Sequence, residues 1–453
     1  MEREINFMTY EIDETEQRIL NTIDEHRDEI LAFARDIYTH AELGYKEFRT
    51  AEQFANVTRK LGLHTEENIA VTGVKAYINE DKKEKVSLAL IGELDALRIP
   101  NHKYANPETE GAHCCGHHAQ LAGLVGAAFA LADENVKKEL DGQVVLFAVP
   151  AEEYGEIEFK NQLKAEGKIK YGGGKCELIR IGAFDDVDLS IVHHTGEDDI
   201  SVGSGSNNGF VSKVIRYKGV AAHAAGAPYL GVNALNAASL GLSALAYQRE
   251  TFKDEDSVRV HPIITKGGGL VNVVPDEVVV ETLVRAASKE AIIDAAEKTD
   301  RAFAAGAIGI GAECEITTMP GYLPTIKAEA DESVLEAAYI ASKSGEKEYE
   351  VVKQDVKAHS GGSTDVGDLQ HIQPVLSFNT GGKVNGLHSV DFDIVDEELA
   401  YIVTAKIFAL SAYRLLKNDA VKASEIIQDY KPVLTKEEYI KYMDSFIREE
   451  TFS

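Results

Sequence analysis

An α/β fold with a mainly parallel sheet, interrupted by a smaller ferredoxin-like α+β domain, is predicted by three features of the sequence. Short continuous apolar runs at 86–92 and 144–149 alternate with helical stretches, as in a sheet covered by helices on both faces. The Ala- and Gly-rich segment 117–133 is apolar all round, the mark of a buried helix. Between about 207 and 320 the chain changes character to a strand, helix, strand, strand, helix, strand order, which is the split βαβ arrangement.

Taken in order, residues 14–63 carry apolar positions at helical spacing (Ile19, Ile23, Ile30, Phe33, Ile37, then Phe48, Phe54, Leu61), which predicts two amphipathic helices. Runs 71–78 and 86–92 read as strands, followed by a loop holding Pro100 and Pro107 and then the buried helix. The run 144–149, bounded by Gly142 and Pro150, reads as a strand buried on both faces. In the insert, 210–219, 257–265, 277–285 and 313–319 are expected as strands and 231–249 and 288–305 as helices. Beyond 321, strand 375–379 and a long helix over 396–416 complete the pattern. The expected division is a first domain part at 1–206, an inserted domain at 207–320 and a second part of the first domain at 321–453.

Of the 453 residues, 44% are hydrophobic and 27% charged, the mixture of a folded globular chain. The formal charge of −28 repels phosphate backbones and anionic lipid, so neither nucleic acid nor membrane is expected as a partner. The longest apolar stretch, around 119–132, falls short of the roughly 20 residues of a membrane span. The first residues lack the basic and apolar regions of a secretory leader, so no export is expected. Four irregularly spaced cysteines, Cys114, Cys115, Cys176 and Cys314, do not make a disulfide framework and fit a reducing, cytoplasmic location.

The densest chemistry lies at His113-Cys114-Cys115-Gly116-His117-His118, three histidines and two cysteines in six residues at the start of a buried helix. Imidazole is a poor core residue and a thiolate needs a cation beside it, so metal binding is the natural explanation. Cys115 and His117 offer one sulfur and one nitrogen, a mixture that zinc and other borderline divalent ions accept. A second cluster, Glu152-Glu153, follows the apolar strand ending at Val149 and sits where α/β sheets place their active sites. Adjacent carboxylates point apart, so one can bind metal while the other moves a proton. Two further apolar strands lead to histidines, one into His193-His194 and one through Gly381-Gly382 to His388. Together these residues supply enough ligands for two ions. The runs 172–174 and 267–269 lack the context of a phosphate loop and read as turns or bulges.

The ordered set Asp95-Ala-Leu, His113-x-Cys115-Gly-His117, Pro150-Ala-Glu152-Glu153, a strand-end histidine, Ala222-His223-Ala224, Asn272-Val-Val-Pro275-Asp276 and Gly386-Leu-His388-Ser389 resembles the metal-dependent amidohydrolases. These include the indole-acetyl-amino-acid hydrolases, N-acyl-amino-acid hydrolases and carboxypeptidase G relatives. The resemblance spans about 30 to 415. The segments around His223 and Gly362-Ser363-Thr364-Asp365 resemble the aminobenzoyl-glutamate hydrolase branch in particular. It implies two divalent ions per chain, zinc or manganese, held by Cys115, His117, Glu153, His194 and His388. His194 is placed by its spacing of six residues from Asp188, with His193 as the alternative. The resemblance further implies Glu152 as general base, Asp95 as an orienting acid, and His223, Asn272 and Arg285 as substrate-binding residues of an inserted domain that closes over the site and dimerises.

Two departures from that pattern stand out. The family reads Cys-Gly-His-Asp-x-His where this chain has Cys115-Gly116-His117-His118-Ala119-Gln120, and it tends to have Asp where this chain has Glu93. The expected activity is hydrolysis of the amide bond of an N-acyl or N-aminobenzoyl amino acid by a homodimer. The alternatives are a dipeptidase or carboxypeptidase with the same machinery, and a catalytically silent ligand-binding homologue. Glu152 speaks against the last.

Overall fold

The computed structural model describes residues 11–453, and the chain divides into two compact units. Among the described residues the first comprises those up to 205, 327–357 and 373–433; the second comprises 206–326, 358–372 and 434–453. The expected last block, 321–453, is thus shared between the units, because strand Arg448–Phe452 pairs with Glu313–Pro320 in the sheet of the second.

In the first unit an eight-stranded sheet runs in the order His64–Ile69, Gly73–Ile78, Gln143–Val149, Ser87–Glu93, Leu189–Thr195, Val375–Thr380, Ile200–Val202, Val351–Lys353. Its four central strands are parallel. Ser87–Glu93 and Gln143–Val149 are buried at every position, as continuous apolar runs in a helix-covered sheet should be. Helix His117–Leu131 is buried along its whole length and packs against helices Arg27–Thr39 and Thr404–Leu416.

The N-terminal region forms three helices rather than the two expected: Glu14–Glu25, Arg27–Thr39 and Phe48–Lys60. Asp13 and Glu16 form a capping box on the first. The apolar periodicity is continuous through His26, where the backbone leaves helical geometry. Ile19, Ile23, Ile30, Ile37 and Phe54 are in the core, whereas Phe48, the first residue of its helix, is exposed. The segment Glu398–Leu416, a π turn running into helix Thr404–Leu416 and interrupted by Lys406 and Arg414, is long and apolar enough by composition to cross a membrane. It is entirely buried and forms the centre of the first unit's core.

The second unit holds an antiparallel sheet in the order Arg259–Val260, Glu277–Ala286, Gly209–Lys218, Glu313–Pro320, Arg448–Phe452, with Ile263–Lys266 also paired to Glu277–Ala286. Helices Ala234–Gln248 and Lys289–Ile310 pack on each other and on this sheet. The core between them is built from small residues (Ala237, Ala238, Ala295, Ala307) around Phe303 and Tyr217.

Candidate metal centre

Three parallel strands deliver side chains at their carboxyl ends, the position where open α/β sheets bind ligands. Ser87–Glu93 ends in Glu93 and leads to Asp95; Gln143–Val149 leads to Glu152 and Glu153; Leu189–Thr195 carries His194. Helix His117–Leu131 starts at the same end. Its N-cap, Gly116, has φ +88°, and a Cβ there would lie 2.1 Å from Thr195 Oγ1. Only glycine therefore lets the chain turn here with Cys115 and His117 on either side. The turn into Glu152 passes through Ala151 at φ +49°, and the Ala151 N–H donates to Glu47 Oε1 at 2.8 Å.

Asp95, fully buried, ties two of these residues together. Its Oδ2 accepts from the Glu153 N–H at 2.8 Å, and its carbonyl oxygen lies 2.8 Å from His117 Nδ1. A proton on Nδ1 satisfies that carbonyl and leaves Nε2 as the ligand atom. His194 Nε2 faces Cys115 Sγ at 3.3 Å. His388, in a loop at φ +59° with its N–H donating to the Cys114 carbonyl, places Nε2 3.1 Å from Glu153 Oε1.

The result is two triads sharing one sulfur. Cys115, His117 and His194 form one, and Cys115, Glu153 and His388 the other, with the ligand atoms of each within 4.8 Å of one another. The donor set fits divalent ions. Burial pushes the Cys115 thiol well above its ordinary pKa, so a thiolate here requires a cation. His117 Nε2 is buried and finds no hydrogen-bond partner among the described residues. Burial works against a charge on Glu153 as well, but His388 and His117 outweigh it and its pKa lies below the usual value.

His193 and His194 are successive strand residues and point to opposite faces. His193 packs on Phe378 and meets Thr380 Oγ1 at 2.7 Å, on the side away from Cys115. His118 stacks on Tyr38 at 4.4 Å and meets the Tyr401 hydroxyl at 3.2 Å. Cys114 packs with Ala112 and Phe392, and all four cysteines are buried and outside any disulfide.

Four residues around this cluster were not anticipated as functional. Glu93 is buried, with Oε1 2.6 Å from Lys175 Nζ and Oε2 accepting from Gln120 Nε2 at 2.9 Å; Gln120 Oε1 in turn accepts from the Glu93 N–H at 2.8 Å. Burial opposes the Glu93 charge, yet Lys175, His117 and His194 hold its pKa down to about 2. Lys175 is fully buried on helix Gly174–Ile181, whose first residue lies so close to the Pro150 carbonyl that a Cβ would sit 1.6 Å from its oxygen. Glu47, the fourth, accepts from Thr72 as well as Ala151; burial and the nearby Asp95 push its pKa up to about 8.

The remaining expected residues lie in the second unit. The His223 and Asn272 loops are held together by an Ala224 N–H to Asn272 carbonyl bond at 3.0 Å and by a bridge between His223 and Val273. His223 Nδ1 accepts from the Ala225 and Gly226 amides, which leaves Nε2 directed outward from the turn. Arg285 belongs to strand Glu277–Ala286, donates to Ser363 Oγ at 2.8 Å and stacks over Phe210.

An α/β sheet with thiol, imidazole and carboxylate donors gathered at the carboxyl ends of its strands defines a metallohydrolase-type centre. The sequence matches peptidase family M20/M25/M40 over residues 89–411, and the chain belongs to that family and is a hydrolase of amide bonds. It is 31% identical over 278 residues to one of the subunits of the p-aminobenzoyl-glutamate hydrolase of Escherichia coli, an alignment covering 59% of this chain and 52% of that protein. It is 26% identical to the Xaa-Arg dipeptidase of Mus musculus over 94% of this chain and 91% of the relative. A dinuclear metal-binding M20 peptidase from Bacillus subtilis shares the fold, with a TM-score of 0.59, 24% identity and coverage of 87% and 99% of the two chains.

Proposed function

We propose that the chain hydrolyses the amide bond joining an acyl or aminobenzoyl group to an amino acid, at a centre of two divalent ions held by Cys115, His117, Glu153, His194 and His388. The observation that carries this reading is the membership of Cys115 in both triads, which provides two adjacent ion positions with a shared sulfur. Zinc or manganese held by these residues would supply Lewis acidity for activating water and polarising the carbonyl.

Glu152 is the base. It is buried beside the triads, with Oε2 3.9 Å from His117 Nε2, and is not needed as a ligand in either. It takes a proton from the attacking water, whose oxygen adds to the carbonyl carbon. As the C–N bond breaks, Glu152 returns that proton to the leaving nitrogen, giving a carboxylic acid and a free amine. Asp95 holds His117 and the Glu153 backbone in register while this happens. His223, Asn272 and Arg285 contact the substrate from the inserted domain, which closes over the site in a homodimer.

The named activity of the E. coli relative supports an aminobenzoyl or acyl amino acid. A dipeptide is the second reading, favoured by alignment to a dipeptidase over nearly the whole chain. Assay of N-acyl amino acids, aminobenzoyl amino acids and dipeptides with added zinc or manganese decides between them. Turnover of none of these, in protein carrying metal, overturns the hydrolase assignment at this site.

A further inference from the structure

Of the three positions at which the chain departs from its family's pattern, Glu93, His118 and Gln120, the first and last are hydrogen-bonded to each other twice, once through each end of the Gln120 amide. They are therefore a single change. Its consequence is a carboxylate fixed from two sides: Lys175 Nζ on Oε1, and the Gln120 amide nitrogen on Oε2. Both partners are buried, so neither lets the carboxylate swing away into water.

The same Oε2 lies 3.1 Å from His117 Nε2. His117 Nδ1 faces the Asp95 carbonyl, so Nε2 is the ring atom directed at the Glu93 oxygen. The spacing suits a divalent ion held by both. Donors held about 2.0–2.2 Å from an ion at angles near 90–110° are roughly 2.9–3.5 Å apart. His117, Glu93 and Glu152 also form a set of donors within 4.8 Å of one another.

We propose that Glu93 is a sixth ligand residue of the centre, its Oε2 contributing to the ion held by His117 and His194, with Lys175 and Gln120 fixing the carboxylate in place. This inference rests on the two-ion reading above. The opposing account is that Glu93 only neutralises Lys175, a buried ion pair whose geometry happens to face the site.

Three full-length variants separate these accounts by metal retention, measured by elemental analysis across a chelator series, and by the visible spectrum of the cobalt-substituted protein. Glu93→Gln removes the charge. Glu93→Gln with Lys175→Met removes both charges, so no unpaired cation remains buried. Glu93→Asp keeps the charge and withdraws the oxygen by one methylene. If Glu93 is a ligand, all three lose one of two ions at chelator concentrations where the unaltered protein keeps both. The affinity loss is at least about tenfold, since removing even an outer partner of a metal ligand costs 10–100-fold, and the cobalt spectrum changes. Recovery of the second ion in the double variant, or full retention in Glu93→Asp, overturns the proposal. If the unaltered protein itself holds fewer than two ions, the dinuclear reading fails first, and that failure is visible before any variant is compared.

Discussion

Buried charge is handled differently in the two units. In the second unit Lys213, fully buried, meets Asp300 at 2.6 Å and donates to Thr318, Asp300 also accepts from Arg448, and Arg448 meets Glu450 at 3.1 Å; two cations and two carboxylates cancel among themselves and hold a sheet to a helix. At the strand ends of the first unit the buried groups do not close on themselves. His117 Nε2 has no hydrogen-bond partner among the described residues, the Cys115 thiol is buried beside two carboxylates, and Glu93 is clamped with an oxygen 3.1 Å from that Nε2. A closed ion network is scaffold; thiol, imidazole and carboxylate donors converging from several strands fit a cation.

That contrast can be broken at several points. The largest effect is expected at Glu152→Gln, which removes the proposed base and leaves both triads intact. Turnover should fall by about 10²–10⁴, with metal content and melting temperature unchanged; near-normal turnover moves the base elsewhere. Lys213→Met in the second unit should do the reverse. It leaves Asp300 buried without its lysine and destabilises the fold by about 3–5 kcal/mol, read by denaturant unfolding, while protein that remains folded keeps its metal.

His223→Ala should lower kcat/KM by about a hundredfold, the worth of one hydrogen-bond donor to the developing oxyanion, without loss of metal. Where His223 reaches the active site of the partner subunit, a mixture of His223→Ala and Glu152→Gln homodimers regains activity on subunit exchange. No recovery on exchange sinks the cross-subunit role of His223.

The smallest effect sharpens the picture around the Ala151 turn. Glu47 has a folded pKa near 8 against an ordinary 4.5. Its protonated form is favoured by folding, so its contribution to stability is complete below about pH 4.5 and is lost as the pH rises through 8. Glu47→Gln should show a shallower fall in melting temperature than the unaltered protein between pH 5 and 8.5. Parallel curves would remove Glu47 from the account.

Much of the parallel sheet was legible because strands buried on both faces must be continuous apolar runs, and 86–92 and 144–149 are bounded by polar or turn residues. Strand His64–Ile69 was not legible: it reads HTEENI, lies at the sheet edge and buries almost nothing, so no period marks it. Arg448–Phe452 escaped for the same reason, its residues only half-buried against Glu313–Pro320. The break at His26 was hidden because apolar spacing carries on across it.

At the site, Cys115 and His117 stood out because thiols and imidazoles are rare and crowded there. Glu152 and Glu153 stood out because they follow a run of apolar residues. Glu93 also ends such a run and carried the same signal, but it stands alone and drew notice only as a departure. Lys175 gave no signal, since a lysine after three glycines reads as solvated until the fold shows it against Pro150. Which of His193 and His194 faces Cys115 required strand register, a one-residue distinction that reverses the face.

The central claim is that Cys115 joins two ion positions at the strand ends of the first unit. Anomalous X-ray scattering from metal-loaded crystals, collected at the absorption edge of the bound metal, tests it most directly. The account predicts two peaks per chain, one among Cys115, His117 and His194 and the other among Cys115, Glu153 and His388. A single peak remote from Cys115, or metal-loaded protein with no peak at these residues, would contradict it.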